Sequence, residues 1–255
     1  MFKGDLTLSR ARGAKAQRRL AQQQQYEGNT IDFNKATKNY QKPISLIPKT
    51  RNQEKFVLAL HDQSQHIVIS VGPAGTGKSY LAMLAAIKAL RAGQCDRIVL
   101  TRPAVGVDDE KHGFLPGDLN SKMEPWTRPL LDILREFYQP KIIAQMIEDQ
   151  IIEIAPLAFM RGRTFKNCWI VADEMQNATP AQMQMLLTRI GENSRIIVTG
   201  DMEQTDRTTR NNGLLDLAQR LKAQRVNGLT ICELGSRDIQ RHPIISEVLQ
   251  IYSNG

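Results

Sequence analysis

Residues 72–79 form a glycine-rich stretch that is compatible with few folds. Their sequence is Gly-Pro-Ala-Gly-Thr-Gly-Lys-Ser. It follows a continuous apolar run of strand length at 66–71 and precedes an Ala- and Leu-rich segment at 80–92 whose composition predicts a helix. A strand, a turn of the form G-x-x-x-x-G-K-[ST] and a helix in this order are typical of a loop that binds phosphate groups. The two flanking elements and the Gly-Lys-Ser ending make a chance glycine-rich turn a poor explanation.

The residue types of this loop suit a nucleoside triphosphate bound together with a metal ion. Glycines allow backbone N–H groups to converge on phosphate oxygens at the start of a helix, where the helix dipole also favours anions. The ammonium group of Lys78 can reach the β- and γ-phosphates, and the hydroxyl of Ser79 can ligate Mg²⁺. We therefore predict that the nucleotide is bound by Gly72, Pro73, Ala74, Gly75, Thr76, Gly77, Lys78, Ser79 and Tyr80, with Lys78 also catalytic.

From residue 46 onward, strand-like and helical segments alternate along the chain. Strands that are apolar at successive positions are buried on both faces, which requires helices above and below a mainly parallel, twisted sheet. Thr179 followed by Pro180 predicts a helix start, with Thr179 as the N-cap. The predicted α/β fold has strands at 66–71, 97–101, 151–154, 168–172, 195–199 and 229–234, and helices at 80–92, 118–138 (interrupted by Pro125 and Pro129), 140–150, 180–191, 213–222 and 243–251.

Two acidic residues follow the apolar strand predicted at 168–172. Asp173 is placed to hold Mg²⁺, usually through water, and Glu174 is placed to polarise the attacking water. Apolar strands commonly end in an acidic residue that caps the next helix, so the acidic pair alone is a moderate indication of a catalytic role. Together with Lys78 earlier in the chain, it becomes a strong one. A glutamate at this position favours hydrolysis by water over transfer to a bound acceptor.

A third polar segment, Thr-Gly-Asp-Met-Glu-Gln at 199–204, begins with the last residue of the strand predicted at 195–199. The side chain of Gln204 can hydrogen-bond a γ-phosphate or the water beside it, so Gln204 is a candidate catalytic residue. An ordinary Gly-Asp turn after a strand is the alternative interpretation.

The positive charge of the chain is concentrated in its first residues. Residues 1–45 hold nine Lys or Arg against three Asp or Glu, which accounts for +6 of the net charge of +8. Few large apolar side chains occur there, so we predict a basic, Gln-rich arm at 1–45 and a folded domain at 46–255. The arm is either a solvated tail or an electrostatic contact with nucleic acid. A transit peptide fits less well because serine is scarce.

Composition excludes several classes of protein. Hydrophobic residues make up 41% of the chain, which is enough for a sizeable core and incompatible with disorder throughout. No apolar run approaches the roughly 18–20 residues of a transmembrane helix, so we expect no membrane partner. The three cysteines and four histidines lack metal-binding spacing. Widely separated cysteines suit a reducing compartment, so we expect a cytoplasmic protein.

The motifs, taken in order, resemble those of the PhoH-like ATPases, whose nucleotide core is similar to that of superfamily 1 helicases. The resemblance extends over essentially the whole predicted domain. One departure is Met175, which stands where the family usually has alanine. Besides the loop at 72–79, the matching segments are 101–105, 113–119, 161–164, 173–177, 188–191, 198–201 with Gln204 and Asp206, and 241–243.

This resemblance implies a single RecA-like P-loop NTPase domain that hydrolyses ATP with Mg²⁺ and couples hydrolysis to RNA or single-stranded DNA. It also implies a homo-oligomeric ring, expected to be a hexamer. By similarity to helicases, Gln53 is expected to select the adenine of ATP. Arg241 is expected to reach the γ-phosphate in a neighbouring subunit, where an arginine stabilises the charge of phosphoryl transfer. On the residues alone, Arg241 is equally consistent with a surface position at a helix start.

Two classes of function stay open. The first is an ATP-driven enzyme that acts on nucleic acid, with helicase activity as one form. The alternative is a nucleotide-gated oligomeric binding module with little turnover. A small-molecule kinase fits less well, because Glu174 favours hydrolysis and no obvious lid insertion is present.

Contacts with nucleic acid are harder to predict than the nucleotide site. Aromatic residues make up only 5% of the chain, so no platform for stacking bases is evident, and Trp126 and Phe114 near the basic loops suit packing better. Basic residues in loops near predicted strand ends are the candidates for contacts with phosphates: Arg102, Lys122, Arg128, Arg161 and Arg163.

Overall fold

A computed structural model describes residues 42–103, 119–202 and 212–240 together with Ile244, except for the side chains of residues 119–126. The described helices are α1 (Arg51–His61), α2 (Lys78–Arg91), α3 (Leu119–Arg135), α4 (Pro140–Glu148), α5 (Pro180–Leu187) and α6 (Gly213–Ala223). The described strands are β1 (Ile67–Val71), β2 (Arg97–Thr101), β3 (Ile152–Ile154), β4 (Cys168–Ala172), β5 (Arg195–Gly200) and β6 (Leu229–Glu233). Single 3₁₀ turns follow three of the strands, at Leu157–Met160, Met175–Asn177 and Ser236–Asp238.

All the described strands pair in parallel, in the order β3-β2-β4-β5-β1-β6. Ile69 and Val198 belong to one buried cluster that includes side chains of α5 and α6. Val68 and Ile197, at the alternate positions of the same strands, are also fully buried, and α2 packs against β2, β4 and β5. Helices therefore cover both faces of a parallel sheet, which confirms the predicted α/β fold.

The predicted strands lie within one residue of their observed bounds. Strands buried on both faces are short, apolar and bounded by turns, so their ends are well marked in the sequence. The helix predicted at 243–251 lies outside the described residues apart from Ile244, and so does the arm predicted at 1–45 apart from residues 42–45.

Helix α1 has no counterpart among the elements predicted from the sequence. Thr50 caps it by accepting a hydrogen bond from the backbone N–H of Gln53 at 3.2 Å. Its buried face consists of Gln53, Phe56, Val57 and Leu60. This spacing is helical, but the pattern begins with a polar residue, which conceals the buried stripe.

Helix α5 ends at Leu187, earlier than the predicted end at residue 191. The hydroxyl of Thr188 donates to the carbonyl oxygen of Met185 at 2.9 Å and closes the last turn. The N–H of Gly191 then donates to the carbonyl oxygen of Phe165 at 2.8 Å, which draws the chain out of the helix. A tertiary contact therefore shortens a segment whose composition would support a longer helix.

Helix α3 is continuous from Leu119 to Arg135, although Pro125 and Pro129 were expected to interrupt it. Each proline removes one backbone donor. Leu130 and Leu134 are completely buried on the same helix, and this burial holds the helix in place despite the lost donors. Neither α3 nor any other described helix is long and apolar enough to cross a lipid bilayer.

Arg195 is a buried cation that ties α1 to the sheet. At the start of β5 it donates to the carbonyl oxygen of Leu60 at 2.5 Å and to that of Asp62, and its guanidinium lies 4.8 Å from the ring centroid of Trp169. Burial lowers the pKa of Arg195, while the carbonyl oxygens at the end of α1 offer favourable partners to the charge. The end of α1 is thereby held at the amino edge of the sheet, opposite the carboxyl ends of the strands.

The buried cysteines are expected to resist alkylation in the folded protein. Burial raises the pKa of Cys95 to about 12 and that of Cys232 to about 11. Because the thiolate is the reactive form, iodoacetamide at pH 8 should modify Cys95 at least about 100-fold more slowly than a model thiol with a pKa of about 8.5. Mass spectrometry before and after unfolding in urea measures this difference. Rapid labelling of the folded chain would contradict the described burial.

Candidate active site

Three segments singled out in the sequence meet at the carboxyl edge of the sheet. β4, β5 and β1 are neighbours, so the chain segments that follow them come together. The P-loop at 72–79 follows β1, the acidic pair Asp173 and Glu174 follows β4, and Gly200 ends β5 opposite Val71. The parallel strand order therefore brings the phosphate-binding loop and the acidic pair to one edge, as the sequence predicts.

Glycines of the P-loop occupy positions that no other residue fits without strain. Gly72 has a φ of +147°, and a Cβ atom there would lie 2.2 Å from the carbonyl oxygen of Leu234. Gly75 and Gly77 have φ values of +84° and +81°, in the left-handed region that is costly for L side chains. Gly77 is the N-cap of α2 and no side chain caps this helix, which suits a helix start that binds anions.

The side chain of Lys78 folds back onto the P-loop. It is 7% exposed, and its ammonium group donates to the carbonyl oxygens of Gly72 at 2.6 Å and Pro73 at 2.7 Å. A longer contact of 3.3 Å joins it to the hydroxyl of Thr76. These partners hold the cation at the loop, where a bound phosphate would meet a charged donor.

Ser79 and Asp173, which the sequence predicts to hold Mg²⁺, are in direct contact. The hydroxyl of Ser79 donates to Oδ1 of Asp173 at 2.6 Å, although the two residues are 94 positions apart in the chain. Thr199 of β5 donates to the same oxygen at 2.5 Å, a role that the sequence analysis missed. A hydroxyl and a buried carboxylate are hard oxygen donors, which fits Mg²⁺ held by few protein ligands together with water and phosphate. Among the described residues, no cluster of three or more His, Cys, Asp or Glu suited to a metal occurs.

Glu174 is held in an uncommon backbone conformation beside two polar partners. Its φ of +56° lies in the left-handed region, which non-glycine residues adopt mainly where the surroundings impose it. Oε1 forms an ion pair with Arg102 at 3.0 Å, and Oε2 accepts a hydrogen bond from Gln176 at 2.5 Å. Arg102 also lies 3.5 Å from Oδ2 of Asp173. Arg102, predicted from the sequence only as a contact for phosphates, thus joins both acids.

Gln176 links the acidic pair to the end of β5. Its Oε1 accepts the backbone N–H of Asp201 at 3.1 Å, while its amide nitrogen donates to Glu174. A Cβ atom on Gly200 would lie 2.7 Å from this Oε1, so the glycine leaves room for the contact. The third polar segment, at 199–204, is therefore connected to the carboxylate of Glu174 through the side chain of Gln176.

Gln53, expected by resemblance to select adenine, packs beneath the P-loop. It is 3% exposed, its Nε2 donates to the carbonyl oxygen of Thr76 at 3.0 Å, and its Oε1 accepts the N–H of Lys49 at 2.7 Å. These bonds use one donor and one acceptor site of the amide, and each polar atom retains further bonding capacity. Contact with adenine stays a prediction.

The other predicted site residues differ in how much the structure says of them. Tyr80 is partly exposed and donates to Glu136 at 3.1 Å, and burial together with this hydrogen bond raises the pKa of Tyr80. Gln204 and Arg241 lie outside the described residues, so their predicted roles stay predictions. Gln240, which precedes Arg241 in sequence, donates its N–H to the carbonyl oxygen of Gly75 at 2.8 Å.

The basic residues proposed from the sequence fall into different environments. Arg102 joins the acidic pair, whereas Arg163 forms an ion pair with Glu153 at 2.5 Å. Arg128 and Arg161 are exposed, and the side chain of Lys122 lies outside the description.

Three proteins similar to this chain carry PhoH in their names. A PhoH-like protein from Synechocystis is 46% identical over 80% of this chain and 61% of its own length, and a PhoH-like protein from Bacillus subtilis is 43% identical over 85% and 66%. Protein PhoH from Escherichia coli is 37% identical over 80% and 57%. Among solved structures, the Pif1 helicase from Candida albicans aligns over 80% of this chain and 44% of its own length, with 16% identity. The TM-score of 0.38 is too low to support a statement about the fold.

The match to these relatives covers most of this chain and part of theirs. This chain spans 57–66% of the length of the three relatives. The model of the family described as PhoH-like protein matches residues 45–253, which include the P-loop, the acidic pair and all the described strands. The chain therefore belongs to the PhoH-like protein family.

Proposed function

We propose that this protein is a Mg²⁺-dependent ATPase whose hydrolysis is coupled to RNA or single-stranded DNA. The observation that carries the ATPase proposal is the 2.6 Å contact between Ser79 and Asp173. It joins the P-loop to the acidic pair, so that Lys78, Ser79, Asp173 and Glu174 occupy one edge of the sheet. These four side chains provide the phosphate, metal and water functions that hydrolysis requires.

Each residue has a distinct part in the proposed reaction. Ser79 and Asp173 would hold Mg²⁺, and Lys78 would donate to the phosphates. When bound, the ion offsets charge on the phosphate oxygens. Glu174 would accept a hydrogen bond from the attacking water and take its proton. Glu174 is engaged by Arg102 and Gln176, but its side chain is 41% exposed and each carboxylate oxygen can accept a further hydrogen bond, so the attacking water has an acceptor position.

Coupling to nucleic acid is the second part of the proposal. The charge of +6 in residues 1–45 supports it, since phosphate backbones attract clustered Lys and Arg. Gln204 is proposed as a γ-phosphate sensor, and Arg241 as a contact to the nucleotide of a neighbouring subunit in a hexameric ring. The role of Arg241 depends on the family resemblance, whereas that of Gln204 follows from its place after a predicted strand. Helicase activity is one form that the coupling could take.

Substituting Lys78 with alanine is the direct test of the ATPase proposal. We expect phosphate release to fall by about 10²-fold or more, because a donor aimed at the transferred phosphate is lost. Lys88→Ala, a lysine on the exposed side of the same helix α2, is the matched control and should leave the rate unchanged. Equal rates for wild type and Lys78→Ala would rule out this site.

Titrating the wild type with RNA and with single-stranded DNA tests the coupling. An increase in the ATPase rate with either polymer supports it, and a rate unchanged by every polymer tested contradicts it. Light scattering with Mg²⁺-ATP and with ADP tests the alternative. A nucleotide-dependent change in mass without measurable turnover would favour the gated binding module over the ATPase.

A further inference from the structure

Phe159 is a large aromatic side chain held outside the core by buried neighbours. It lies in the 3₁₀ turn Leu157–Met160 and is 56% exposed, whereas Leu157 and Met160 are 3% and 0% exposed. Both of these anchors belong to the buried cluster that contains Ile69 and Val198. One exposed apolar residue needs no explanation by itself. Here the anchors fix the backbone on both sides, so the ring is presented in a defined place.

Arg161, two residues further on, places a positive charge beside this turn. It is exposed and forms no ion pair with any residue in the described ranges. Its basic neighbours differ, because Arg163 pairs with Glu153 at 2.5 Å and Lys166 pairs with Glu192 at 3.2 Å. Among the basic side chains at 161–166, Arg161 is therefore the one that pairs with no acidic residue in the described part of the chain.

The turn follows the carboxyl end of β3, at the edge where the candidate active site lies. The N–H of Ala155 donates to the carbonyl oxygen of Leu100 at 3.0 Å, which ties the start of the segment to β2. In the strand order β3-β2-β4-β5-β1-β6, the turn is on the far side of β2 from the P-loop. Ligands of open α/β sheets bind along this edge. A polymer bound there could reach Arg102, which follows β2 and contacts Glu174.

We propose that Phe159 and Arg161 form a contact site for single-stranded nucleic acid, with one base stacked on the ring and a phosphate bound by the guanidinium. The inference deepens the proposed function and rests on its nucleic-acid coupling. An aromatic face beside a basic side chain is the combination that sequence-tolerant binding of single strands uses. Arg161 is among the residues predicted from the sequence to contact phosphates, whereas Phe159 is not, because an isolated phenylalanine is more often part of the core.

A protein partner fits this surface less well. Stable protein interfaces bury aromatic anchors within patches of about 800 Å² on each partner, with apolar centres. Around Phe159 the exposed residues of the segment are small or polar, namely Ala158, Gly162, Thr164 and Lys166. An exposed ring with an exposed cation two residues further on matches a nucleotide better than it matches the apolar centre of a protein interface.

Fluorescence anisotropy of labelled oligouridylate and oligothymidylate with the full chain tests the proposal. Phe159→Ala should weaken binding about fivefold or more. Phe159→Trp should bind as the wild type does, since stacking needs only an aromatic face. Arg161→Gln should weaken binding and reduce the slope of log K against log salt concentration by about 0.7. Leu58→Ala, which removes a 62% exposed apolar side chain from α1, is the matched control and should bind as wild type does.

The outcomes separate this inference from the proposed function. If the wild type binds and both Phe159→Ala and Arg161→Gln bind equally well, this site is wrong while the coupling stands. If the wild type binds neither oligonucleotide, the coupling fails and this site fails with it. If Phe159→Ala lowers the mass measured by light scattering without oligonucleotide, the ring contacts a second copy of the chain and the proposal is overturned.

Discussion

Glu174→Gln should reduce ATP turnover by about 10²- to 10⁴-fold while leaving affinity for Mg²⁺-ATP close to that of the wild type. The amide has nearly the shape of the carboxylate but cannot take a proton from water. The phosphate contacts expected from Lys78 and the P-loop, and the metal contacts expected from Ser79 and Asp173, are untouched by the change. The loss should therefore appear in kcat, with little change in nucleotide binding.

Glu192→Gln is the matched control for this variant. Glu192 is exposed, pairs with Lys166 at 3.2 Å and precedes β5, at the opposite edge of the sheet from the acidic pair. Phosphate release and equilibrium binding of a fluorescent ATP analogue are measured on all three proteins. If Glu174→Gln turned over ATP at the wild-type rate, Glu174 would not be the general base. If it lost nucleotide binding in parallel with turnover, the main role of Glu174 would be structural.

Much of the site can be predicted from the sequence because its parts are local. The P-loop needs consecutive residues, and Asp173 and Glu174 directly follow an apolar strand. Parallel strands then bring their carboxyl ends to one edge, so the meeting of Ser79 and Asp173 follows from the fold class. Such a prediction requires the fold class and not the exact strand order.

The contacts made by Thr199, Gln176 and Arg102 could not be predicted in the same way. Thr199 meets Asp173 because β5 lies beside β4 in one particular register. Gln176 spans the same two strand ends, and Arg102 reaches both acids from β2. None of these pairings leaves a pattern in a single segment of sequence. They depend on tertiary packing, as does the exposure of Phe159.

Gly72→Ala should disrupt both folding stability and nucleotide binding. The added Cβ atom would lie 2.2 Å from the carbonyl oxygen of Leu234, far inside van der Waals contact. Leu234 cannot easily move, because its N–H donates to the carbonyl oxygen of Val71 at 2.8 Å where β6 lies against β1. The P-loop must shift instead, and its backbone N–H groups move away from their phosphate-binding positions. We expect a loss of about 2–4 kcal/mol in the free energy of unfolding.

Gly93→Ala isolates the steric part of this effect. Gly93 also has a positive φ, +67°, but a Cβ atom there would meet nothing within 4 Å. Its expected cost is only the backbone strain of about 1–2 kcal/mol, with nucleotide affinity unchanged. Urea unfolding followed by circular dichroism gives the two stabilities, and binding of a fluorescent ATP analogue gives the affinities. Because only Gly72 faces the carbonyl oxygen of Leu234, an equal loss of stability in both variants, with affinity retained in both, would show that the P-loop does not need the close approach described here.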